Sequence, residues 1–310
     1  MFLNLFILFI HSFKPENMVS ISNIKTAGFL AIAFGCATAL FAQKPTDKIR
    51  VNQIGFYPST EKIAIVTDSI AKEFNLVDAK TKQVVYTGPL KPKGIWEYSE
   101  EYSNEADFSK FKDVGTYYIS VANVGDSYPF EISNQVNLNI GKASLGFLYF
   151  QRASTALPAQ YAGKWARAAG HPDNEVIVHA SAATATRPEG TKINSSKGWY
   201  DAGDYNKYIV NSGISTYTLM ALYEQYPKFF DTLKLNIPEN TNNIPDLLDE
   251  VRWNLDWMVT MQDEDGGVYH KLTNTNFDGY VMPADATNNR YVVMKTTAAS
   301  LDFAAVMAVA

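Results

Sequence analysis

Two aspartates, Asp201 and Asp204, lie three residues apart in the stretch SSKGWYDAGDYNKYIVNSG, which covers residues 195–213. The residues between them are small, and one of them, Gly203, permits a tight backbone turn. Such a turn would aim both carboxylates at one point, where they could hold a water molecule and remove a proton from it. The pattern therefore predicts a general base built on a single turn.

The same spacing also has a purely structural interpretation. Aspartate is among the commonest helix N-cap residues, and an apolar helical period begins at Tyr205, directly after Asp204. Spacing alone favours the cap. If the pair acts chemically, it is too close to be the acid and base of an inverting glycosidase, whose carboxyl groups lie about 6.5–9.5 Å apart. The two aspartates would then share the base role, and the acid would come from elsewhere.

A long segment with little regular pattern, residues 156–204, leads into this stretch. Loops of that length in a compact domain are usually functional or disordered. Its aromatic and titratable side chains argue against disorder; they are Tyr161, Trp165, His171, Asp173, Glu175, His179, Trp199 and Tyr200. We expect a binding surface across one end of a helical scaffold.

Composition narrows the partners. The chain has 310 residues, a net charge of -5 and a pI near 5.5, so it lacks the basic footprint of a nucleic-acid-binding protein. This charge is compatible with a neutral polymeric partner such as a polysaccharide. Cys36 is the single cysteine and lies in a segment that we expect to be removed, which excludes cysteine nucleophiles and cysteine-ligated zinc.

The N-terminus is typical of an export signal. Residues 1–42 contain an upstream leader and then, from Met18, one lysine followed by the apolar run Ala27 to Ala42. The run is shorter than the roughly 18–20 apolar residues of a spanning helix and ends in a small residue. We expect a secreted or periplasmic protein with no membrane span in the mature chain. A lipoprotein anchor at Cys36 is less favoured, because the apolar run continues beyond it.

Residues 43–136 are expected to form a β-sandwich of immunoglobulin (Ig) type. Period-two runs rich in β-formers, broken by turns, predict about seven strands. The clearest runs are residues 62–66, 73–77, 83–86 and 115–121. The step from Asp113 into the strand at Tyr117 resembles a tyrosine corner. No convergent set of titratable groups occurs here, so we interpret this region as a supporting module.

Residues 137–310 change to a helical period. Apolar spacing predicts four long helices, over residues 140–155, 205–226, 244–258 and 294–310. The last pattern is still apolar at Ala310, with no glycine, proline or basic last turn to end it. We therefore expect residues 137–310 to be the front part of a larger helical domain.

The motif Gly198 to Tyr208, GWYDAGDYNKY, resembles the signature of family 9 glycoside hydrolases, which are inverting cellulases built on an (α/α)6 barrel. Further similar segments are RVNQIGF at residues 50–56, DFS at 107–109, GTYY at 115–118, DLLDE at 246–250 and GGVYHK at 266–271. The resemblance covers almost everything after Arg50. It implies a multidomain chain, with an N-terminal Ig-like β-sandwich followed by an incomplete all-α (α/α)6 barrel.

Residue by residue, the resemblance implies that Asp204 is the general base and that Asp201 helps to orient the nucleophilic water. Trp199 and Tyr200 would line the cleft, and His270 could contact a sugar. For His270 a satisfied turn histidine is an equal alternative. The implied reaction is hydrolysis of β-1,4-glucosidic bonds in cellulose or cellodextrins. The family's catalytic acid is a glutamate expected beyond Ala310, so we expect this chain alone to be inactive.

Metals are not expected. The resemblance implies a structural zinc held by cysteines and histidine in relatives, but Ala153 and Gly170 stand where those cysteines would be. His171 and His179 alone supply a closed zinc site poorly. Calcium is common in the family, yet no acidic loop here has recognisable ligand spacing, and residues 263–265 are more simply a solvated turn.

Two other classes of function stay open at this point. One is a non-catalytic fragment that binds glucan through the Ig-like module and aromatic loops. The other is a polysaccharide lyase on a helical barrel, which would need a Tyr or His base and basic residues to neutralise a uronate. The acidic composition and the paired aspartates count against the lyase.

Overall fold

The computed structural model describes residues 45–310. The predicted signal peptide, the upstream leader and Cys36 lie outside the described residues. No helix among the described residues is both long and apolar enough to cross a membrane.

Eight antiparallel strands make up the N-terminal half. They are β1 (Ile49–Arg50), β2 (Ile63–Val66), β3 (Glu73–Asp78), β4 (Val84–Trp96), β5 (Glu101–Asp107), β6 (Gly115–Val121), β7 (Gly125–Asp126) and β8 (Phe130–Ile132). The order of neighbours is β1-β2-β5-β4-β3-β6-β7, and β8 also pairs with β6. The long strand β4 pairs with β3 through its first residues and with β5 from Leu90 onward, so it joins the two halves of the sheet.

One apolar core holds these strands together. Alternate residues of β3 and β6 point inward, and Phe74, Leu76 and Ile119 are completely buried. Phe108 packs edge-on against Phe56. At the step into β6, the Tyr117 hydroxyl donates to the carbonyl of Val114 at 3.4 Å, which is the local bond that the tyrosine-corner resemblance suggested.

Six helices lie in the C-terminal half. They are α1 (Leu138–Gln151), α2 (Ala159–Ala162), α3 (Ile209–Gln225), α4 (Pro227–Phe230), α5 (Asp246–Thr260) and α6 (Thr297–Val309). The four long ones, α1, α3, α5 and α6, occupy the places where the apolar period predicts helices. The second predicted helix begins too early, because α3 starts at Ile209 and not at Tyr205.

Helix α5 shows why the period succeeds. Leu247, Val251 and Met258 recur on one face and are buried in the core, as helical spacing requires. Helix α5 also makes a buried polar contact. The Asn254 side-chain amide donates to the hydroxyls of Ser212 and Thr216 on α3, at 2.7 and 2.8 Å. Helices α3 and α5 are therefore joined by hydrogen bonds as well as by apolar packing.

A small five-stranded sheet accompanies the helices, and the sequence did not predict it. Its strands are β9 (Val176–Val178), β10 (Lys192–Ile193), β11 (Lys207–Tyr208), β12 (Lys271–Asn274) and β13 (Arg290–Val292). Their order is β10-β9-β13-β12-β11, with β9 and β13 parallel. The irregular segment, residues 156–204, supplies β9 and β10 of this sheet, and β11 follows the paired aspartates.

Candidate active site

The two aspartates lie on a closed turn between Tyr200 and β11. The backbone N–H of Asp201 donates to the carbonyl of Asn206 at 2.9 Å, and that of Tyr205 donates to the carbonyl of Ala202 at 3.2 Å. The left-handed residue of this turn is Tyr205, with φ 57°, and not Gly203 as the sequence suggested. A non-glycine residue in this region is uncommon, so the surrounding contacts must hold it there.

Asp204 is held by three donors. Its Oδ1 accepts the backbone N–H of Asn206 at 3.2 Å. Its Oδ2 accepts the Asn206 side-chain amide at 3.1 Å and the Tyr208 hydroxyl at 2.9 Å. The helix-cap interpretation is wrong, since α3 begins at Ile209 and the residue at its cap position, Tyr208, makes no side-chain cap bond.

Asp201 lies at the mouth of a small cavity. Its Oδ1 accepts the side-chain amide of Asn211, in the first turn of α3, at 2.8 Å, and its side chain is exposed. The cavity, of about 100 Å³, is lined by Asp201 and by residues that include Phe147 on α1, Tyr208 on β11 and Asn211 on α3. A carboxylate is therefore available at a recess beside the turn.

Trp199 and Tyr200 line the same cavity but are almost fully buried. The indole N–H of Trp199 donates to Glu250 Oε1 at 3.3 Å, and the Tyr200 hydroxyl lies 2.9 Å from His171 Nδ1. Burial raises the pKa of Tyr200 well above its usual value of 10. Their polar atoms are thus engaged within the protein, and their contact with sugar stays a prediction.

His270 lies at the other end of the strand pair from Asp204. The His270 carbonyl, just before β12, accepts the N–H of Ile209. At the opposite end of β12, the N–H of Asn274 donates to the Asn206 side chain at 3.2 Å. The imidazole Nδ1 is 3.1 Å from the hydroxyl of Thr296 and the residue is half-buried. A role for His270 in sugar binding stays a prediction.

A buried cluster of charged residues lies next to the turn and includes Asp173. Asp173 forms ion pairs with Lys207 Nζ at 2.8 Å and with Arg290 Nε at 3.1 Å. Lys207 also donates to the carbonyls of Ser195 and Lys197, at 2.9 and 2.7 Å. Burial lowers the pKa of Lys207 to about 8, against the opposing effect of Asp173. The cluster ties the segment before the turn to β11.

Arg290 links the same cluster to Tyr205, the residue with the left-handed backbone conformation. Its Nη1 donates to the carbonyl of Tyr205 at 2.6 Å, while its other nitrogens bind Asp173. The sequence placed Asp173 in the segment expected to form a binding surface, and it indicated no role for Arg290 or Lys207. The available signal was a charged residue in each of two short β-forming runs, but nothing in the sequence shows that they meet.

A second buried cluster fixes Trp199. Arg152 is bound by Glu250, which is completely buried, and by Glu239, with nitrogen–oxygen distances of 2.9 and 3.0 Å. Burial raises the pKa of Glu250, and Arg152 opposes that change. Glu250 also accepts the indole N–H of Trp199, so the cluster links Arg152, which follows α1, and helix α5 to Trp199, the residue before Tyr200.

The donors for a zinc ion do not fit in this chain. A side chain at Gly170 would meet the carbonyl of Pro283, with a Cβ–oxygen distance of 2.4 Å, and Ala153 is completely buried. His171 Nδ1 is already engaged by Tyr200. Within residues 45–310, no group of three His, Cys, Asp or Glu side chains could hold a metal ion.

The acidic turn at residues 263–265 is not simply solvated, which corrects the expectation from its sequence. Asp263 is buried and forms ion pairs with Arg187 at 3.1 Å and with Lys295 at 2.8 Å. Lys295 also binds Asp265 at 2.6 Å. Because these carboxylates are occupied by cations of the protein, they fit a salt-bridge network better than a calcium site.

Two protein-family models match the chain, one in each half. The model of glycosyl hydrolase family 9 matches residues 139–310, and that of the cellulase N-terminal Ig-like domain matches residues 44–126. Because the first match covers more than half of the chain, the protein belongs to glycosyl hydrolase family 9. The resemblance of the catalytic part and of the Ig-like module is confirmed.

Several characterised relatives support the assignment. A xyloglucan-specific endo-β-1,4-glucanase from Bacteroides ovatus is 48% identical over 280 residues, which are 90% of this chain and 47% of the relative. Endoglucanase D from Acetivibrio thermocellus is 32% identical and covers 94% of this chain and 44% of the relative. A solved family 9 structure from B. ovatus superposes with a TM-score of 0.80 at 49% identity, covering 86% of this chain and 48% of that one. The chain spans about half the length of the relatives it matches.

Proposed function

We propose that the chain is the N-terminal portion of an inverting endo-β-1,4-glucanase in which Asp204 is the general base. Asp201 orients the same water molecule. Family membership supports this assignment, and so does the closed turn that carries both carboxylates and places Asp201 at a recess. The observation that carries it is the environment of Asp204, whose three donors fix its carboxylate without forming a helix cap.

The chemistry requires a second carboxyl group. As Asp204 removes a proton from water, the water oxygen attacks the anomeric carbon, and the glycosidic bond breaks towards the leaving oxygen. That oxygen takes a proton from an acid across the bond. We assign this acid to a glutamate outside these 310 residues, which accords with the half-length match to the relatives. The helices of this chain are then one part of an (α/α)6 barrel.

The proposed substrate is a β-1,4-glucan, with cellulose or cellodextrins as the simplest members. One relative is named as xyloglucan-specific, which makes xyloglucan a further substrate to test. The net charge of -5 also suits a neutral polymer better than an anionic one. Export of the enzyme to the periplasm or the medium, after cleavage near Gln43, would bring it to such a polymer.

Product stereochemistry tests this proposal. In an extended chain that includes the whole barrel, proton NMR of fresh hydrolysate should show the α anomer at the new reducing end, because a single displacement inverts the β bond. Cellodextrins and xyloglucan oligosaccharides are assayed side by side to define the substrate. Initial release of the β anomer would indicate a covalent intermediate and a different pair of carboxylates.

A further inference from the structure

The Asp204 carboxylate has one acceptor position that stays open, and the structure identifies the residues that close the others. An ionised carboxylate offers about four lone-pair positions over its two oxygens. Oδ2 accepts two hydrogen bonds, from the Asn206 amide and the Tyr208 hydroxyl, and Oδ1 accepts one, from the Asn206 backbone. Among the described residues, the remaining position is therefore on Oδ1.

We propose that Asn206 and Tyr208 are positioning residues that saturate Oδ2 and so make Oδ1 of Asp204 the single atom that takes the proton from water. This inference rests on the proposed function, since it assumes that Asp204 is the base. In the reaction, the water O–H bond breaks and its proton passes to Oδ1. The electron pair left on the water oxygen forms the new bond to the anomeric carbon.

The donors are held in place by the small sheet. Asn206 is completely buried, and its own Oδ1 accepts the N–H of Asn274 on β12 at 3.2 Å. This contact fixes the orientation of the Asn206 amide towards Asp204. Tyr208 pairs with Lys271 in the β11–β12 register, and the Lys271 ammonium lies 5.3 Å from the centre of its ring. Neither donor depends on Asp204 for its position.

The Tyr208 hydroxyl is suited to a permanent donor role. Burial and the hydrogen bond to Asp204 raise its pKa above the usual value of 10, so it keeps its proton at neutral pH. A hydrogen bond to the charged form of a carboxylate also favours that form, which is the one that can act as a base. Removing the hydroxyl would open a second acceptor position, on Oδ2, and let water bind there without facing the anomeric carbon.

The test is Tyr208→Phe in the extended, full-barrel chain, with steady-state kinetics on a cellodextrin. We expect kcat to fall at least about tenfold with KM changed less than about twofold, because the loss affects water in the transition state and not substrate binding. A purely structural role would lower stability without this separation of kcat from KM.

Tyr223→Phe is the matched control, since Tyr223 also donates its hydroxyl to an aspartate, Asp231, at 2.9 Å, but lies at the far end of α3. It should leave kcat and KM unchanged. An unchanged kcat in Tyr208→Phe, or equal losses in both variants, would overturn the inference.

A double variant separates this inference from the proposed function. If Tyr208 acts through Asp204, any residual activity of Asp204→Ala, measured at high enzyme concentration, should not fall further when Tyr208→Phe is added. Full activity of Asp204→Ala would refute the assignment of the base itself. Loss of activity in Asp204→Ala together with normal kinetics in Tyr208→Phe would refute only the role of Tyr208.

Discussion

At the scale of single residues, Asp204 differs from an ordinary turn aspartate in what surrounds it. Its donors belong to Asn206 and Tyr208, which follow it in the chain, and no helix begins directly after Asp204. A cap would stabilise a helix, whereas this carboxylate is held by Tyr208, which lines the same recess as Asp201. Loss of either carboxylate should therefore affect turnover more than folding.

We expect Asp204→Ala to abolish hydrolysis in the extended chain and Asp201→Ala to reduce it severely, while both variants stay folded. General-base assistance typically contributes about 10² to 10⁴ in rate. Steady-state assays on cellodextrins, together with circular dichroism for folding, measure the two effects. A loss of less than about tenfold for Asp204→Ala would contradict the assignment.

The control for these variants is Asp78→Ala. Asp78 also accepts turn hydrogen bonds, from the N–H groups of Lys80 and Thr81 at 2.9 and 2.6 Å, but it lies in the Ig-like module. We expect Asp78→Ala to lower stability slightly and to leave turnover unchanged.

His171 supplies a pH-dependent contribution to stability. It is buried beside Tyr200 and Arg290, and burial lowers its pKa from 6.5 to about 4, with the positive charge of Arg290 acting in the same direction. The unfolded chain therefore takes up a proton before the folded one does. The contribution is present above about pH 6.5 and is lost as the pH falls towards 4, and its size is on the order of 3 kcal/mol.

His171→Asn should flatten this acid-side loss. Asparagine keeps a polar atom near the position of Nδ1, which faces the Tyr200 hydroxyl, but it does not titrate. Denaturant unfolding at several pH values between 4 and 7 measures the change, with the exposed His179 replaced by Asn as the control. Equal pH dependence in the native chain and in His171→Asn would contradict the assignment of this group.

The sequence could supply the two carboxylates but not their partners. Asp201 and Asp204 stand out through residue type and spacing, and the family resemblance assigns them roles. The donors Asn206 and Tyr208 reach Asp204 because Tyr205 adopts a left-handed conformation, which its residue type does not favour. That conformation depends on Arg290, 85 residues further along the chain, so local reasoning could not find it.

At the scale of elements, helices were predictable and the small sheet was not. The apolar period of α5 is visible over fifteen residues because one face of the helix is buried. Strands β9 to β13 have two to four residues each, which is too short for a period to show. Their order joins segments far apart in the chain, and only the tertiary fold brings them together.

Gly198 is where the segment before the paired aspartates contacts α5. Its φ is 79°, and a Cβ there would lie 2.7 Å from the ring of Trp257, which is completely buried. Its carbonyl accepts the N–H of Ala153 at 2.8 Å and the indole N–H of Trp253 at 3.2 Å. The position thus needs glycine for its backbone conformation and also for space.

We expect Gly198→Ala to destabilise the chain by about 2–5 kcal/mol, the sum of left-handed strain and overpacking. Gly190→Ala is the matched control, because Gly190 has a similar φ of 83° but nothing within 4 Å of its Cβ position. It should cost about 1–2 kcal/mol, from backbone strain alone. Equal losses in thermal or denaturant unfolding would show that Trp257 does not restrict the space at Gly198.

At the scale of the whole molecule, the helical half leaves apolar side chains on its surface. Phe147 on α1, Ile214 on α3 and Leu301 on α6 are 55%, 61% and 66% exposed. Helices normally bury such faces against further elements of their own layer. The β-strand half differs, because β1 to β6 enclose a core of their own around Phe74 and Phe108. The two halves should therefore differ in their resistance to proteases.

We expect the 310-residue chain to leave cellodextrins intact, whereas an extended chain with the whole barrel hydrolyses them. The reason is that we assign the acid to a glutamate outside these residues. Within them, Glu175 is exposed and paired with Lys192 at 3.1 Å, and Glu224 is exposed near the end of α3. Limited proteolysis of the short chain should leave a resistant core spanning roughly residues 49–133. Sensitive reducing-sugar assays compare the two chains at equal concentration. Comparable turnover would show that the acid lies before Ala310, and inactivity of both, with glucan still bound, would favour a carbohydrate-binding role.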